Sequence, residues 1–204
     1  MIILASNSPR RRELLAGLDV EYRTWVIPGI DESYPSDLPV TEIAEYIACK
    51  KAAPYLQEEN IAMVGDEDII LTADTVVILD DEVMGKPRDH EEAFAMLRKL
   101  SGRTHKVITG VCLASKTKQK HFSVQTYVTF APLADAQIEY YINKYKPFDK
   151  AGAYGVQEWI GYVGVTRLEG SYYNVMGLPV QRLNQELHAF LNEETDSFVA
   201  NFLY

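Results

Sequence analysis

The sequence predicts an α/β fold with a mixed sheet and flanking helices. Short apolar runs of the kind that form buried strands alternate along the chain with segments whose apolar residues recur at helical spacing. Residues 69–79 (IILTADTVVIL) are apolar almost throughout, as expected of a strand that is buried on both faces. Two alternating runs at 106–114 and 121–130 flank the polar turn KTKQK and predict a hairpin.

The first third of the chain alternates strand and helix. The apolar run at 2–5 predicts a strand. Ser8 and Pro9 then suit the N-cap and the first residue of a helix. The elements that follow are a strand at 22–27, a loop at 28–39 that is rich in Pro, Ser, Asp and Gly, and a helix that begins at Thr41 and that Pro54 should kink or end.

The alternation continues around the hairpin. The predicted elements after residue 68 are the strand at 69–79, a turn at Asp80-Asp81, a return strand at 82–84, a helix at 91–100, the hairpin, a helix at 134–144, a strand at 160–168 and a helix at 178–192. Asp89 and Glu92 form a capping-box-like start for the first of these helices, and Pro147 ends the second.

Length and composition limit the classes of protein. The chain has 204 residues and a mass of 23.1 kDa, which suits one domain over residues 1–204, with two lobes at most. Its 20 Lys and Arg against 29 Asp and Glu give a formal charge of −9, which disfavours a nucleic-acid-binding face. No apolar run reaches the roughly 18 residues of a membrane helix, and the N-terminus lacks the order of a secretory signal. Two cysteines without a CxxC partner argue against a disulfide framework or a zinc site and favour a reduced cytoplasm.

The strand-loop-helix segment SNSPRRR, residues 6–12, is the first candidate site. Hydroxyl groups and backbone amides at a helix N-terminus bind anions, and arginines add fork-shaped donors that fit phosphate oxygens. The alternative is an ordinary capped helix with solvated arginines. Three consecutive arginines project around different sides of a helix, so not all of them can face one pocket.

Asp74 lies in the middle of the apolar run at 69–79. A carboxylate inside a buried strand is costly unless it is paired, hydrogen-bonded or bound to a metal. Such a carboxylate could hold Mg²⁺ or act as a general base toward a water, and Glu32 could share the metal with it. The alternative is that the run forms two strands, with Asp74 at an exposed end.

Lysines and small residues mark further candidate contacts. Lys86, held between a glycine and a proline, could be a point charge for phosphate, and so could Lys50 or Lys51 on the helix from Thr41. Each could instead be part of a solvated surface. In the segment DKAGAYGVQ, Lys150 supplies charge and Gln157 offers a donor and an acceptor to a base edge.

Taken together, these segments resemble the Maf family of nucleoside triphosphate pyrophosphatases. The matching stretches occur in the family's order and at its spacing over residues 2–180, and the ordered set is far more specific than any one of them. They are ILASNSPRRRELL, DE at 31–32, KKA at 50–52, TADTVV, GKPRD, LSGRTHKVITGV, DKAGAYGVQ and GSYYNVMGLP. The chain has no GxxxxGK[ST] and no GxGxxG, so P-loop and Rossmann readings fail.

The resemblance implies a mixed, twisted sheet with flanking helices and two lobes around a central cleft. It also implies metal-dependent hydrolysis of a nucleoside triphosphate to the monophosphate and pyrophosphate, carried out by a homodimer. The substrates that it suggests are dTTP and UTP, not 7-methyl-GTP. One departure from the family pattern is Lys146-Pro147, where the family commonly has Glu-Pro.

The resemblance also assigns roles to residues. Asp74 matches the family's proton acceptor, and Glu32 and Asp74 are the expected ligands of Mg²⁺ or Mn²⁺. Lys51 and Lys86 complete the catalytic set. The substrate-binding positions are Ser8, Arg11, Arg12, Thr75, Lys150 and Gln157, of which Arg12, Thr75 and Gln157 match the positions that set base preference.

The chemistry of a triphosphate agrees with these residue types, because phosphoryl transfer depends on positioning and on charge stabilisation. Two alternatives stay open at this point. One is a nucleotide-binding regulator of cell division that has no significant turnover. The other is the same reaction on 7-methyl-GTP or another modified nucleotide. Release of pyrophosphate distinguishes the first alternative, and a panel of substrates distinguishes the second.

Overall fold

The fold is built on one mixed sheet. A computed structural model describes residues 1–192, and the last residues, 193–204, lie outside them. The strands in the described part are β1 Ile2–Leu4, β2 Tyr22–Thr24, β3 Ile69–Leu79, β4 Glu82–Met84, β5 Thr104–Ala114, β6 Gln119–Phe130 and β7 Val165–Glu169. Their order is β2-β1-β3-β5-β6-β7, with β4 paired to β3. β1 runs parallel to β2 and β3, and the other neighbours are antiparallel.

Helices flank the sheet, which confirms the predicted α/β class. They are α1 Pro9–Ala16, α2 Ile43–Ala52, α3 His90–Leu100, α4 Asp135–Tyr145, α5 Trp159–Gly164, α6 Tyr172–Met176 and α7 Val180–Asn192. Short 3-10 turns occupy Ala53–Leu56, Ile61–Met63, Pro147–Asp149 and Ala151–Ala153. None of the helices within residues 1–192 is long and apolar enough to cross a membrane.

The prediction of a strand at 160–168 is wrong over its first half. The chain forms helix α5 there, and strand β7 begins only at Val165. The Ile160 side chain is buried in the core, and Trp159 packs against the same cluster. The backbone N–H of Gly161 donates to the carbonyl oxygen of Glu158, which forms the first turn of the helix. Gly161 lies so close to the carbonyl oxygen of Val156 that a Cβ atom would stand 1.8 Å from it. A run with glycines at 161 and 164 also lacks the side-chain packing that stabilises a strand.

The hydrophobic core divides at two neighbouring residues of β3. Asp74 and Thr75 are partly exposed, whereas every other residue of this strand is buried. Ala73, before them, belongs to a cluster with α1 and α7, and Val77, after them, belongs to a cluster with α3 and α4. The other face divides in the same way, between one cluster with the end of α2 and another with its beginning. The two-lobe organisation of residues 1–204 stays a prediction, and this division is the feature that favours it.

Helix α2 lies directly on the sheet beside this division. Gly110 of β5 is the register partner of Asp74, and a Cβ atom at Gly110 would come within 2.2 Å of the backbone nitrogen of Glu45. A second contact lies along the helix, where Thr72 Oγ1 donates to the carbonyl oxygen of Ala48 at 2.6 Å. The missing side chain at Gly110 therefore lets the α2 backbone approach the strand that carries Asp74.

We expect Gly110→Ala to destabilise the fold, because its methyl group would push α2 away from the sheet. Overpacking of this kind costs about 1–3 kcal/mol, which corresponds to a fall in Tm of about 5 °C for a chain of this size. Thermal unfolding followed by circular dichroism measures the effect. Gly85→Ala is the matched control, because no atom lies within 4 Å of a Cβ atom placed there. Equal Tm values for the two variants would contradict the proposed close approach.

Candidate active site

The loop between β1 and α1 ends in a capped helix, as the sequence predicts. Ser8 is the N-cap, and its Oγ accepts a hydrogen bond from the backbone N–H of Arg11 at 3.4 Å. The Oγ of buried Ser6 accepts from the backbone N–H of Ser8 at 3.2 Å. This turn fixes the direction in which the first residues of α1 project.

Arg11 connects α1 to the middle of the sheet. Its Nε donates to the carbonyl oxygen of Gly177 at 2.8 Å, and its Nη2 donates to Thr75 Oγ1 at 3.1 Å. Gly177 ends α6 with a φ of 118°, a conformation that glycine adopts readily. Burial lowers the pKa of the Arg11 guanidinium from its ordinary value, and the charge of Asp74 opposes this shift.

A chain of hydrogen bonds continues from Arg11 into the core. A guanidinium group can only donate, so Thr75 Oγ1 accepts from Arg11 and gives its own proton to Thr109 Oγ1, 2.9 Å away. Thr109 Oγ1 in turn donates to the carbonyl oxygen of Asn174 at 2.9 Å. The buried Asn174 side chain holds this end of the chain through bonds to Val107 and Thr126. The hydroxyl of Thr75 therefore has a fixed orientation.

Lys51 joins the two carboxylates that the sequence singles out. Its Nζ donates to Asp74 Oδ1 at 2.7 Å and lies 3.0 Å from Glu32 Oε1. The side chains of Lys51 and Asp74 are each 15% exposed, whereas Glu32 is 51% exposed. No hydrogen bond to Asp74 Oδ2 is seen from residues 1–192, so this oxygen is able to accept one from a bound water or ligand. The neighbouring Lys50 is bound elsewhere, to Asp31 and Ser33.

The DKAGAYGVQ segment adds charges opposite α1. Lys150 is buried, and its Nζ lies 2.7 Å from Asp149 Oδ1 and 3.2 Å from Glu158 Oε1. Arg10 Nη1 reaches Asp149 Oδ2 from α1 at 3.3 Å. Burial raises the pKa of Asp149, but the hydrogen bond from Lys150 and the charge of Arg10 outweigh burial, so the pKa lies below its ordinary value.

Gln157 and Tyr154 line the same side. The Oε1 atom of Gln157 is buried and has no hydrogen-bond partner within residues 1–192. The hydroxyl of Tyr154 is 2.7 Å from Nε2 of the buried His105. Burial raises the pKa of Tyr154 and lowers that of His105 to about 4, so both groups are neutral near pH 7.

These residues surround a cleft made of two adjoining hollows. One hollow, of about 740 Å³, reaches Thr75, Lys150 and Gln157. The other, of about 1080 Å³, reaches Glu32. Both volumes include space that is open to solvent. The residues that line both hollows are Ser8, Arg10, Arg11, Lys51, Lys86 and Asp149.

The structure brings together every sequence-predicted site residue except Arg12. This residue is exposed on α1 and lines neither hollow, so its predicted effect on base preference stays a prediction without a contact to support it. Sequence reasoning did not select Arg10, which lines both hollows. Lys86 is exposed at the cleft and forms no hydrogen bond or ion pair within residues 1–192.

Glu32 and Asp74 are suitable ligands for a divalent cation. Both carboxylates already face one cation, the ammonium group of Lys51. Mg²⁺ and similar ions keep several waters and are held by one or two carboxylates together with phosphate oxygens, so a pair of carboxylates is sufficient. The described residues contain no larger group of His, Cys, Asp or Glu that could hold a metal by itself. The donor set therefore fits an ion that shares its coordination with a substrate.

Comparison with known proteins identifies the family. Residues 1–190 match the model of the family described as Maf-like protein. The chain belongs to the Maf family. Three similar proteins are each named dTTP/UTP pyrophosphatase. The protein of Phocaeicola vulgatus is 58% identical over 186 residues, which cover 91% of this chain and 94% of the relative. The protein of Parabacteroides distasonis is 56% identical over 189 residues, with coverages of 93% and 95%. The protein of Porphyromonas gingivalis is 51% identical over 189 residues, with coverages of 93% and 94%.

The buried His105 of this Maf-family chain should make its stability depend on pH. The folded state resists protonation of His105 down to about pH 4, whereas the unfolded chain takes up that proton near pH 6.5. The unfolded state therefore binds more protons between these values, and the free energy of unfolding falls as the pH is lowered through this window, by up to about 3 kcal/mol from this group.

Urea unfolding of the wild type and of His105→Gln at several pH values tests this expectation. Gln keeps a polar group beside Tyr154 but does not titrate. Because carboxylates titrate in both proteins, their contribution cancels in the difference. We expect the wild type to lose more stability than the variant between pH 6.5 and 4. Parallel stability curves would contradict the assignment of His105 as a buried neutral group.

Proposed function

We propose that this Maf-family protein hydrolyses dTTP and UTP to the nucleoside monophosphate and pyrophosphate. The relatives that carry this activity in their names match nearly the whole chain. The structural observation that best supports the proposal is the position of Asp74, a carboxylate of a core strand that opens into a cleft lined by Arg10, Arg11, Lys51 and Lys86. This arrangement suits a polyanionic substrate that is attacked by water.

The cations of the cleft bind the phosphates in this proposal. Arg10 and Lys86 line both hollows, and Lys86 has an ammonium group without a partner in the described chain. Arg11 is already oriented by Thr75 and Gly177, so its remaining N–H groups point in a fixed direction. Donors that are oriented before the substrate binds need no reorganisation when charge develops in the transition state.

In this proposal Asp74 activates the water. Lys51 binds its Oδ1 and leaves Oδ2 able to accept a proton from a water molecule. The oxygen of this water attacks the α-phosphorus, the bond from this phosphorus to the bridging oxygen breaks, and pyrophosphate leaves with the electron pair. Lys51 holds the carboxylate in position through this contact and offsets its charge.

Glu32 and Asp74 would hold the Mg²⁺ or Mn²⁺ of this reaction. The ion would supply charge neutralisation for the phosphate oxygens when it is bound. Asp74 cannot easily be the sole base and a direct metal ligand in one complex, and Glu32, which is more exposed, provides a second ligand.

The unpaired acceptor of Gln157 supports one part of the base preference, the choice between a thymine or uracil base and a cytosine base. A buried acceptor without a partner favours a ligand that presents an N–H group to it. Thymine and uracil carry such a group at N3, whereas cytosine has an acceptor at that position. Gln157 therefore favours dTTP and UTP over CTP in our proposal. The homodimer implied by the family stays a prediction.

A panel of nucleotides tests the proposed function. We expect pyrophosphate to be released fastest from dTTP and UTP when the purified protein is assayed with Mg²⁺ or Mn²⁺ against these two, CTP, 7-methyl-GTP and ITP. Nucleotide binding without pyrophosphate release would instead identify a regulator. If dTTP and UTP are not among the best substrates, the assigned preference is wrong.

The base role of Asp74 predicts a large loss of rate. Asp74→Asn should lower kcat by about 10³-fold, because an amide cannot accept the proton of the water. Asp66→Asn is the control, since Asp66 is exposed and paired with Lys116. Circular dichroism verifies that both variants are folded. Near-normal turnover in folded Asp74→Asn protein would exclude the mechanism.

Arg10 and Arg12 serve as test residue and control for phosphate binding, because both lie on α1 and only Arg10 lines the cleft. We expect Arg10→Met to raise KM for dTTP by about tenfold or more, the value of one lost charged hydrogen bond. Arg12→Met should have a much smaller effect. Steady-state kinetics on both variants measures the difference. A larger effect from Arg12→Met would instead support the role in base preference that the sequence assigns to Arg12.

A further inference from the structure

The two cysteines of the chain lie on elements that pack against each other, and neither lines the hollows of the cleft. Cys112 belongs to β5, and Cys49 belongs to α2. Cys112 pairs in register with Thr72 on one side and His121 on the other. Since register partners project to the same face of a sheet, these three residues form a row.

Helix α2 lies across this row. Thr72 bonds to the carbonyl oxygen of Ala48, the residue before Cys49. At the other end of the row, His121 Nδ1 is 2.5 Å from Glu45 Oε1, one helical turn before Cys49. Cys112 stands between these two contacts and is buried in a cluster against which Cys49 packs. Because α2 contacts both ends of the row, its residue Cys49 lies beside Cys112 in the middle, and the two thiol groups are neighbours.

The spacing along both elements supports this juxtaposition. The α2 backbone touches β5 at Gly110 and Glu45, where a side chain has no room. Cys112 follows Gly110 by two residues of strand, about 6.6 Å, and Cys49 follows Glu45 by four residues of helix, about 6 Å. Both distances are measured from the same backbone contact and are nearly equal. Cys112 and Cys49 therefore lie at about the same level along the two elements. This closeness suits the short Cα–Cα separation that a disulfide requires.

The surroundings differ for the two thiols. Cys49 is half-buried and so can be reached from solvent, whereas Cys112 is fully buried. Interaction with the Cys112 thiol, against burial and with help from the charge of His121, lowers the pKa of Cys49 to about 7. The hydrogen bond with Glu45 raises the pKa of His121, which favours its positive form. Reactive cysteines are typically found in such partly exposed, electropositive places.

We propose that Cys49 and Cys112 form a redox pair that a peroxide converts reversibly into a disulfide. The sulfur of Cys49 attacks hydrogen peroxide, the O–O bond breaks, and Cys49 becomes a sulfenic acid while one water is released. The thiol of Cys112 then attacks the sulfur of Cys49, the S–O bond breaks, and a second water leaves. Two thiols lose two electrons in total, and one peroxide is reduced to two waters.

The disulfide would act on the cleft through α2. Lys51 follows Cys49 by two residues on the same helix, and its Nζ holds Asp74 at 2.7 Å. A covalent bond between Cys49 and β5 draws this turn of α2 toward the strand and shifts the ammonium group. The oxidised protein should therefore lose turnover, and reduction by dithiothreitol should restore it.

Mass spectrometry on the whole chain tests the proposal. After treatment with hydrogen peroxide, we expect the wild type to lose both free thiols and the mass of two hydrogen atoms, and a non-reduced digest to contain one peptide pair that joins Cys49 to Cys112. The chain has only these two cysteines, so the assignment is unambiguous. A disulfide between two chains, or stepwise gain of oxygen without loss of hydrogen, would overturn the proposal.

Two alanine variants separate the steps. Cys112→Ala cannot close the disulfide, so the sulfenic acid at Cys49 should accumulate and be trapped by dimedone. Cys49→Ala leaves only the buried thiol, so its peroxide consumption should fall and its turnover should survive treatment that inactivates the wild type. Thermal unfolding verifies that both variants are folded. Full turnover in completely oxidised wild-type protein would overturn the effect on Lys51, and equal reactivity of Cys49→Ala and wild type would overturn the role of Cys49.

Discussion

The contact between Lys51 and Asp74 is the interaction on which the cleft depends. Asp74 interrupts the most apolar strand of the sheet, and a carboxylate there is costly unless a cation is beside it. Lys51 is that cation, and it arrives on a helix that reaches the sheet only because Gly110 has no side chain. The ion pair, the divided core and the close approach of α2 are therefore three aspects of one arrangement.

This arrangement also explains how an acidic protein can bind a polyanion. The net charge of −9 is a property of the whole chain and disfavours extended partners such as nucleic acids. Within the cleft the balance is different, because Arg10, Arg11, Lys51 and Lys86 meet there. Several acidic residues of the cleft are themselves paired, as Asp149 is with Lys150 and Arg10. A small triphosphate responds to this local set of charges.

Much of the fold and part of the site could be predicted from the sequence, and the limits have physical causes. Asp74 can be predicted because a charge inside an apolar strand needs a partner or a function. Arg11 can be predicted because it lies four residues before buried Leu15, on the helix face that points toward the sheet. Arg10 and Arg12 flank that face on opposite sides, so only the position of the DKAGAYGVQ segment decides between them. The chain of hydrogen bonds through Thr109 and Asn174 joins distant strands and helices, and no local pattern signals it.

The measurement that tests the account most directly is hydrolysis of dTTP in ¹⁸O-labelled water. The cleft is proposed to direct a water held by Asp74 at the α-phosphorus, so the label should appear in the nucleoside monophosphate, and the released pyrophosphate should contain none. Mass spectrometry of the two products decides the question in a single turnover. Label in the pyrophosphate would mean attack at the β-phosphorus, which contradicts the proposed geometry of attack.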